Sequence, residues 1–171
     1  LLHQMLSLYQ QEQLVSGFAE MLKHGLIHST THWDNLNSIS ELTVDSISPF
    51  IYDSVSIKHE IVTKAPKEKG ARKSLNFGHT IGHAFEGYLL EKGETTPHGF
   101  AVAWGMIIEA TLSYNEKLIT DKEFSKIKTF ISSHFPHCPI SKLVIPDLLE
   151  LMRNDKKNDS DSINFSLLAG I

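Results

Sequence analysis

The sequence predicts a mainly helical, multihelical domain, and three observations carry this prediction. Apolar residues recur at spacings of three and four over long stretches, and helical segments do not alternate with strand-like ones, which disfavours a parallel sheet. The 171 residues, 41% of them hydrophobic, suit a single domain with a sizeable core. Residues 162–170 alternate between apolar and polar side chains, so we also expect one or two short strands near the C-terminus.

The predicted helices follow one another along the chain. In residues 10–27 the apolar positions recur at helical spacing, and a second long helix covers residues 45–64 with Pro66 as its stop. Residues 29–38 are predicted as a break and residues 67–74 as a loop. A helix over residues 75–90 follows, then one that is apolar nearly all round and therefore buried, starting at His98 after Pro97. Two more helices are predicted over residues 121–134 and 146–152.

Charge and cysteine content narrow the possible partners. The formal net charge of −4 disfavours binding to nucleic acid or to an anionic membrane, and no apolar run is long enough to span a bilayer. The single cysteine, Cys138, excludes an internal disulfide and agrees with a reducing compartment. We therefore expect a cytoplasmic protein. Because the chain opens on Leu1, we also expect it to be a domain of a longer protein.

Residues 75–87, LNFGHTIGHAFEG, place polar groups on one stripe of the predicted helix and apolar groups opposite. Gly78 and Gly82 thin a third face, which lets another backbone approach closely. Each glycine inside a helix costs about 1 kcal/mol relative to alanine, so two of them indicate tight packing around this stripe. The polar stripe consists of Asn76, His79, His83 and Glu86, and the apolar one of Phe77, Ile81 and Phe85.

The histidine pair suggests a metal site, although His and Glu clusters also arise without a metal. A catalytic Zn²⁺ needs about three protein ligands and an open position, and HTIGH supplies at most two. Glu20 and His98 are candidates for the remainder. At a helix start, His98 should feel the positive end of the helix dipole, which favours a neutral ring. The alternative for Glu20 is a surface residue paired with Lys23 or His24.

Three segments in this order resemble the C-terminal domain of the 3-dehydroquinate synthase family: SGFAEMLKHG, KEKGARKSLNFGHTIGHAFE and HGFAVAWGM. The resemblance implies that residues 1–171 form one helical metal- and substrate-binding domain. It also implies a partner domain that binds NAD⁺ through an α/β fold, which this chain lacks because it contains no Gly-rich strand-to-helix turn. Members of the family are cytoplasmic homodimers of the shikimate pathway. Because the reaction requires the NAD⁺ site of the other domain, we expect the isolated domain to be inactive.

The same resemblance assigns roles to individual residues and implies a divalent cofactor, Zn²⁺ or Co²⁺. The implied metal ligands are Glu20, His79 and His98. His83, which spacing alone would make a second ligand, is instead similar to a residue that assists proton transfer. The implied catalytic set is His83, Lys23 and Glu68, and the implied substrate-binding set is Lys58, Arg72, Asn76, Lys156 and Lys157.

The implied reaction converts 3-deoxy-D-arabino-heptulosonate 7-phosphate into 3-dehydroquinate and phosphate. It proceeds through transient oxidation by NAD⁺, β-elimination of phosphate, re-reduction and an intramolecular aldol step. Another sugar phosphate cyclase or a metal-dependent polyol dehydrogenase is the enzymatic alternative, and a non-catalytic helical metal-binding module is the alternative of a different class. The chain departs from the family pattern at Phe100, at Ala65 and in a longer segment over residues 87–97.

Overall fold

The computed structural model describes residues 2–65, 70–141, 144–154 and 162–171. These residues contain seven α-helices and no strand, with a single isolated bridge at Ser162, so the mainly helical prediction is confirmed. A 3₁₀ helix, Gly70–Asn76, precedes α4. The α-helices are α1 (Leu2–His28), α2 (Thr30–Asn37), α3 (Val44–Lys64), α4 (His79–Glu91), α5 (His98–Asn115), α6 (Asp121–His134) and α7 (Ile145–Asn154).

The break predicted over residues 29–38 is wrong, because α2 occupies most of it. Ser29 caps this helix by accepting a hydrogen bond from the His32 N–H at 3.2 Å. Trp33 and Leu36 are three residues apart, so they lie on one face of α2. Both side chains are fully buried. Tertiary packing of this face stabilises a helix that is too short and too polar to be recognised from its sequence.

The helix predicted over residues 75–90 begins later, at His79. Gly78 has a positive φ of 79°, which interrupts the helical path, so Asn76 ends the 3₁₀ helix instead of sharing α4 with His79. The predicted C-terminal strand is also wrong, since residues 163–171 form neither helix nor strand. The Leu168 N–H donates to Ser113 Oγ at 3.0 Å and its side chain is buried, whereas Phe165 and Leu167 are exposed, so the alternation does not mark a buried face.

Helix α5 lies at the centre of the domain and contacts α1, α4 and α6. The prediction that it is buried is confirmed, since its side chains contribute to two hydrophobic clusters on opposite sides. The larger cluster, called here the apolar core, includes Phe18, Leu22, Trp33, Ile127 and Ile131. The smaller joins α4, α5 and α7 through Phe85, Leu89, Trp104, Leu148 and Met152. No helix in the described ranges has the length and apolar character needed to cross a membrane.

Candidate metal and substrate site

The start of α5 touches the middle of α1 backbone to backbone. The Gly99 N–H donates to Ser16 Oγ at 2.9 Å, and a Cβ on Gly99 would lie only 2.1 Å from the Ser16 carbonyl oxygen. Any side chain at position 99 would therefore push the two helices apart. Because His98 precedes this contact and Glu20 lies one helical turn after Ser16, the contact brings their side chains to the same place.

A second close contact joins the start of α4 to α5. A Cβ on Gly105 would lie 2.0 Å from the Gly78 carbonyl oxygen, and one on Gly82 would lie 3.1 Å from the Ala101 carbonyl oxygen. The glycines of the HTIGH segment thus permit the close approach that their spacing predicted. His79 follows Gly78 directly, so this contact places its ring beside those of α1 and α5.

Glu20, His79 and His98 converge on one point. His79 Nε2 lies 3.3 Å and His98 Nε2 lies 4.0 Å from Glu20 Oε1, and one donor atom from each of the three residues falls within 4.8 Å of the others. Donors in a tetrahedral Zn²⁺ site, each about 2.0–2.1 Å from the ion, are roughly 3.3–3.4 Å apart. Glu20 Oε1 is buried and makes no well-formed hydrogen bond among the described residues. This donor set fits a divalent cation.

The other carboxylate oxygen of Glu20 forms a salt bridge with Lys23. Lys23 Nζ lies 2.6 Å from Glu20 Oε2, and the lysine side chain is almost fully buried. The pairing with Lys23 considered for Glu20 therefore exists, although not at the surface, and it uses one oxygen and leaves the other facing the histidines. Burial alone would raise the pKa of Glu20, but the adjacent His79 and Lys23 outweigh it and hold that pKa well below its usual range. The carboxylate is ionised at neutral pH.

Both histidines are oriented by contacts to Nδ1. His79 Nδ1 lies 3.2 Å from the Phe77 carbonyl oxygen, and His98 Nδ1 lies 3.1 Å from each Glu86 carboxylate oxygen. A ring that donates its Nδ1 proton presents the Nε2 lone pair, which is the arrangement found in most histidine metal ligands. In both residues Nε2 is the atom that faces Glu20.

The two rings differ in proton affinity. Burial lowers the pKa of His79. The hydrogen bond to Glu86 raises the pKa of His98, so the expectation that the helix dipole keeps this ring neutral is wrong in direction. The physical reason is distance, because a full carboxylate charge within hydrogen-bonding reach exceeds the partial charge of a helix end. Glu86 belongs to the polar stripe identified in the sequence, but its role beside His98 depends on the crossing of α4 and α5.

His83 lies next to the Glu20 group but not within it. Its ring centroid is 5.5 Å from that of His79 and 5.9 Å from that of His98, and it forms a second possible donor group with Glu86 and His98. The HxxxH spacing therefore does not place both histidines around Glu20. This position leaves the His83 ring at the edge of the candidate site.

Three of the predicted substrate-binding residues lie on α3 and on the 3₁₀ helix. Arg72 is half-buried on the 3₁₀ helix. Lys58 is exposed on α3 and adds to the lowered pKa of the buried His24 ring, which results mainly from burial and then from Lys23. Asn76 lines a polar cavity of about 300 Å³ between the 3₁₀ helix and the C-terminal segment. The remaining predicted residues, Glu68, Lys156 and Lys157, lie outside the described residues.

The departures from the family pattern leave the donor group intact. Phe100 turns into the interior, where it packs against both hydrophobic clusters and lies 6.3 Å from Phe135 between ring centroids. Ala65 caps the end of α3. The longer segment over residues 87–97 is partly helical, since α4 continues to Glu91. None of these positions supplies a donor to the group around Glu20.

Sequence reasoning missed Ser16 and Glu109. Ser16 carries no sequence signal, because its role depends on where Gly99 arrives. Glu109 does carry one, as the single acidic residue in the otherwise apolar helix α5. Its carboxylate is fully buried, and Oε2 accepts a hydrogen bond from the Gly78 N–H at 2.8 Å.

The fold and the site define a mainly helical domain with a partly exposed carboxylate–histidine group. The chain belongs to the 3-dehydroquinate synthase C-terminal family, whose model matches residues 17–158. It is 38% identical over 163 residues to the 3-dehydroquinate synthase of Parabacteroides distasonis, covering 94% of this chain and 46% of that protein.

Two other relatives with the same name give the same picture. The protein of Alkaliphilus metalliredigens is 36% identical over 92% of this chain and 45% of its own length, and that of Listeria monocytogenes is 34% identical over 94% and 45%. The chain thus spans about half the length of the curated relatives that it matches. The resemblance recognised in the three sequence segments is confirmed.

Proposed function

We propose that this chain is the helical metal- and substrate-binding half of a cytoplasmic, homodimeric 3-dehydroquinate synthase. The complete enzyme converts 3-deoxy-D-arabino-heptulosonate 7-phosphate into 3-dehydroquinate and phosphate in the shikimate pathway. The observation that carries the proposal is the convergence of Glu20, His79 and His98 from three helices, in a chain that belongs to this family.

The donor set suits a cation that must also hold a substrate. Three protein donors, one an ionised carboxylate, leave coordination positions for the hydroxyl groups of a sugar. When bound, Zn²⁺ or Co²⁺ polarises these hydroxyls, while NAD⁺, held mainly by a domain outside this chain, supplies the hydride chemistry. The residues of this chain hold and orient the substrate and move its protons.

The substrate carries a phosphate and a carboxylate, so it requires several cationic partners. We propose that Arg72 grips one of these groups bidentately and that Lys58, Lys156 and Lys157 reach the other parts of the substrate. Asn76 stands at the end of the same 3₁₀ helix as Arg72 and only three residues before His79. This short connection supports a substrate position that joins the anion-binding residues to the donor group.

Lys23, His83 and Glu68 are the proposed catalytic residues. Lys23 Nζ lies 2.6 Å from Glu20, so its ammonium is held beside the donor group, where it can donate hydrogen bonds to the substrate. The His83 ring stands edge-on to His79, close enough to the same substrate to transfer a proton. Glu68 is assigned a role only from its matching position in the family pattern.

Metal analysis tests the donor assignment. In the full-length protein, His79→Ala and His98→Ala should each lose most of the bound metal, whereas His137→Ala, an exposed histidine outside both donor groups, should keep it. If both donor variants retain the metal content of the wild type, the assignment is wrong.

Product analysis tests the reaction. The full-length protein with NAD⁺ should release phosphate from 3-deoxy-D-arabino-heptulosonate 7-phosphate without accumulating NADH, and the isolated 171-residue chain should release none. Net NADH production would instead identify a polyol dehydrogenase. Metal binding with neither activity would favour a non-catalytic metal-binding module.

A further inference from the structure

Glu109 is a fully buried acid that the proposed mechanism does not use. It lies in the middle of α5, between residues that pack against the apolar core and those that contact α4. Burying a carboxyl group is unfavourable unless it forms hydrogen bonds that depend on it. Glu109 Oε2 accepts a hydrogen bond from the Gly78 N–H at the beginning of α4, so this acid is paired with a helix end.

The contact acts as a helix cap supplied from another helix. Gly78 is the residue before α4 and offers no side chain to satisfy the free N–H groups of the first turn. Glu109 Oε2 accepts the Gly78 N–H at 2.8 Å, from a position one turn after Gly105 on α5. Burial raises the pKa of Glu109 to about 8, although the N–H groups of Gly78 and Ile81 act in the opposite direction.

The glycine contact and the hydrogen bond constrain α4 in different ways. The contact between Gly78 and Gly105 limits how closely the two helices approach, but a steric contact between small groups does not prevent sliding or rotation. A hydrogen bond to one particular N–H is directional and fixes the register. His79 is the next residue, so its ring moves whenever the backbone of Gly78 is displaced.

We propose that Glu109 is a positioning residue for the metal site: by holding the Gly78 N–H, it fixes where α4 begins and so places His79 Nε2 against Glu20 and His98. This inference rests on the proposed function only through the metal assignment. Helix α5 then carries one donor at its start and positions a second donor through its middle, which couples the two histidines within one rigid element.

Ser113 provides a matched control for general loss of stability. It is fully buried on the same helix, one turn beyond Glu109, and its Oγ accepts the Leu168 N–H at 3.0 Å. The same hydroxyl donates to the Glu109 carbonyl oxygen at 2.7 Å. Ser113→Ala therefore removes two buried hydrogen bonds of α5 but leaves the Glu109 carboxyl group and its bond to Gly78 in place. Glu109→Gln keeps a carbonyl oxygen for the Gly78 N–H and has the shape of a protonated carboxyl group.

The test is a titration of the metal-stripped full-length protein with Co²⁺, followed by the visible absorption of the bound ion. We expect Glu109→Ala to bind Co²⁺ roughly 10- to 100-fold more weakly, the range found when groups that orient metal ligands are removed. Glu109→Gln and Ser113→Ala should bind it like the wild type, although Ser113→Ala should be less stable to urea. If Glu109→Ala does not fold, Glu109→Asp, which withdraws the acid by one methylene, takes its place.

The outcomes distinguish a failure of the role inferred for Glu109 from a failure of the metal assignment. Equal Co²⁺ affinity in Glu109→Ala, or in Glu109→Asp where that variant is used, and in Ser113→Ala overturns the inference. Weak binding in Glu109→Gln equally overturns it, because the acceptor is then not what matters. If the wild type binds no Co²⁺, or His79→Ala binds it unchanged, the metal assignment of the proposed function fails instead.

Discussion

The crossing of α4 and α5 and the apolar core are held together by opposite means. At the crossing, Gly78, Gly82 and Gly105 carry no side chains, so the backbones meet directly, and a methyl group would not fit at Gly78 or Gly105 without a shift of the helices. In the apolar core, large side chains such as Phe18 and Trp33 fill the space between α1, α2 and α6, with a ring centroid distance of 5.7 Å from Trp33 to Phe130. The donor group lies beside the first region and not within the second.

This difference predicts that stability and site geometry can be changed separately. Side chains in a hydrophobic core contribute free energy in proportion to buried apolar area, and the core adjusts partly when one is lost. A contact between backbones has no such freedom, since neither partner has rotamers to change. The core should therefore determine how stable the domain is, and the crossing should determine where the donors lie.

Trp33→Ala should produce the largest loss of stability, about 3–5 kcal/mol, because it removes a fully buried indole from the apolar core. Urea denaturation measures this loss. If the two regions are independent, the folded fraction should still bind Co²⁺ with the affinity of the wild type. A matching fall in affinity would show that the core also positions the donors.

Glu109 should make the crossing sensitive to pH. The folded state raises the pKa of this carboxyl group from 4.5 to about 8, so the stability it contributes is fully present below about pH 4.5 and is lost as the pH rises towards 8. The free energy of unfolding of the metal-free wild type, relative to Glu109→Gln, should fall by on the order of 3 kcal/mol between about pH 5 and 8. A constant difference across this range would contradict the raised pKa.

Gly105→Ala should damage the site more than the fold. The added methyl group would lie 2.0 Å from the Gly78 carbonyl oxygen, so α4 and α5 must separate, at a cost of about 1–3 kcal/mol. Co²⁺ binding should fall sharply because His79 moves with α4. Gly17→Ala is the matched control, since a Cβ there meets nothing within 4 Å and should stabilise α1 by up to about 1 kcal/mol. Equal Co²⁺ affinities in the two variants would refute the comparison.

Thr120→Ala should have the smallest effect and should be confined to stability. Thr120 Oγ1 accepts the Glu123 N–H at 3.2 Å and caps α6 on the outer side of the apolar core. Its loss should lower the free energy of unfolding by about 1 kcal/mol in urea. Co²⁺ affinity should not change. A change would contradict the prediction, because it would show that α6 also affects the position of the donor group.

The sequence predicted α3, α6 and α7 closely, but it placed the start of α1 eight residues too late and missed α2. The bounds of α6 match residues 121–134, and α3 differs from residues 45–64 by one residue, because both have clear apolar periodicity and recognisable ends. The segment around Trp33 was missed because only tertiary burial makes it helical. The alternation around Leu168 indicated a strand, but Leu168 is buried while Phe165 and Leu167 are exposed, so the pattern did not correspond to one buried face.

The site shows the same division. The close helix approach at Gly78 and Gly82 was predicted from the glycines themselves, and the family pattern indicated Glu20, His79 and His98 as metal ligands. The proton affinity of His98 was predicted in the wrong direction, because Glu86 reaches it across twelve residues of chain. The orienting role of Glu86 and the cap that Glu109 provides both depend on contacts between helices.

By itself, the sequence determined the helical class, a close backbone approach at Gly78 and Gly82, the family and the three candidate donor residues, because periodicity, glycine spacing and motif are local properties of the chain. Only the tertiary structure decided which histidine nitrogen faces Glu20, that His83 stays outside that group, and which acids hold His98 and the start of α4. These features depend on distances between residues far apart in sequence, and packing fixes such distances.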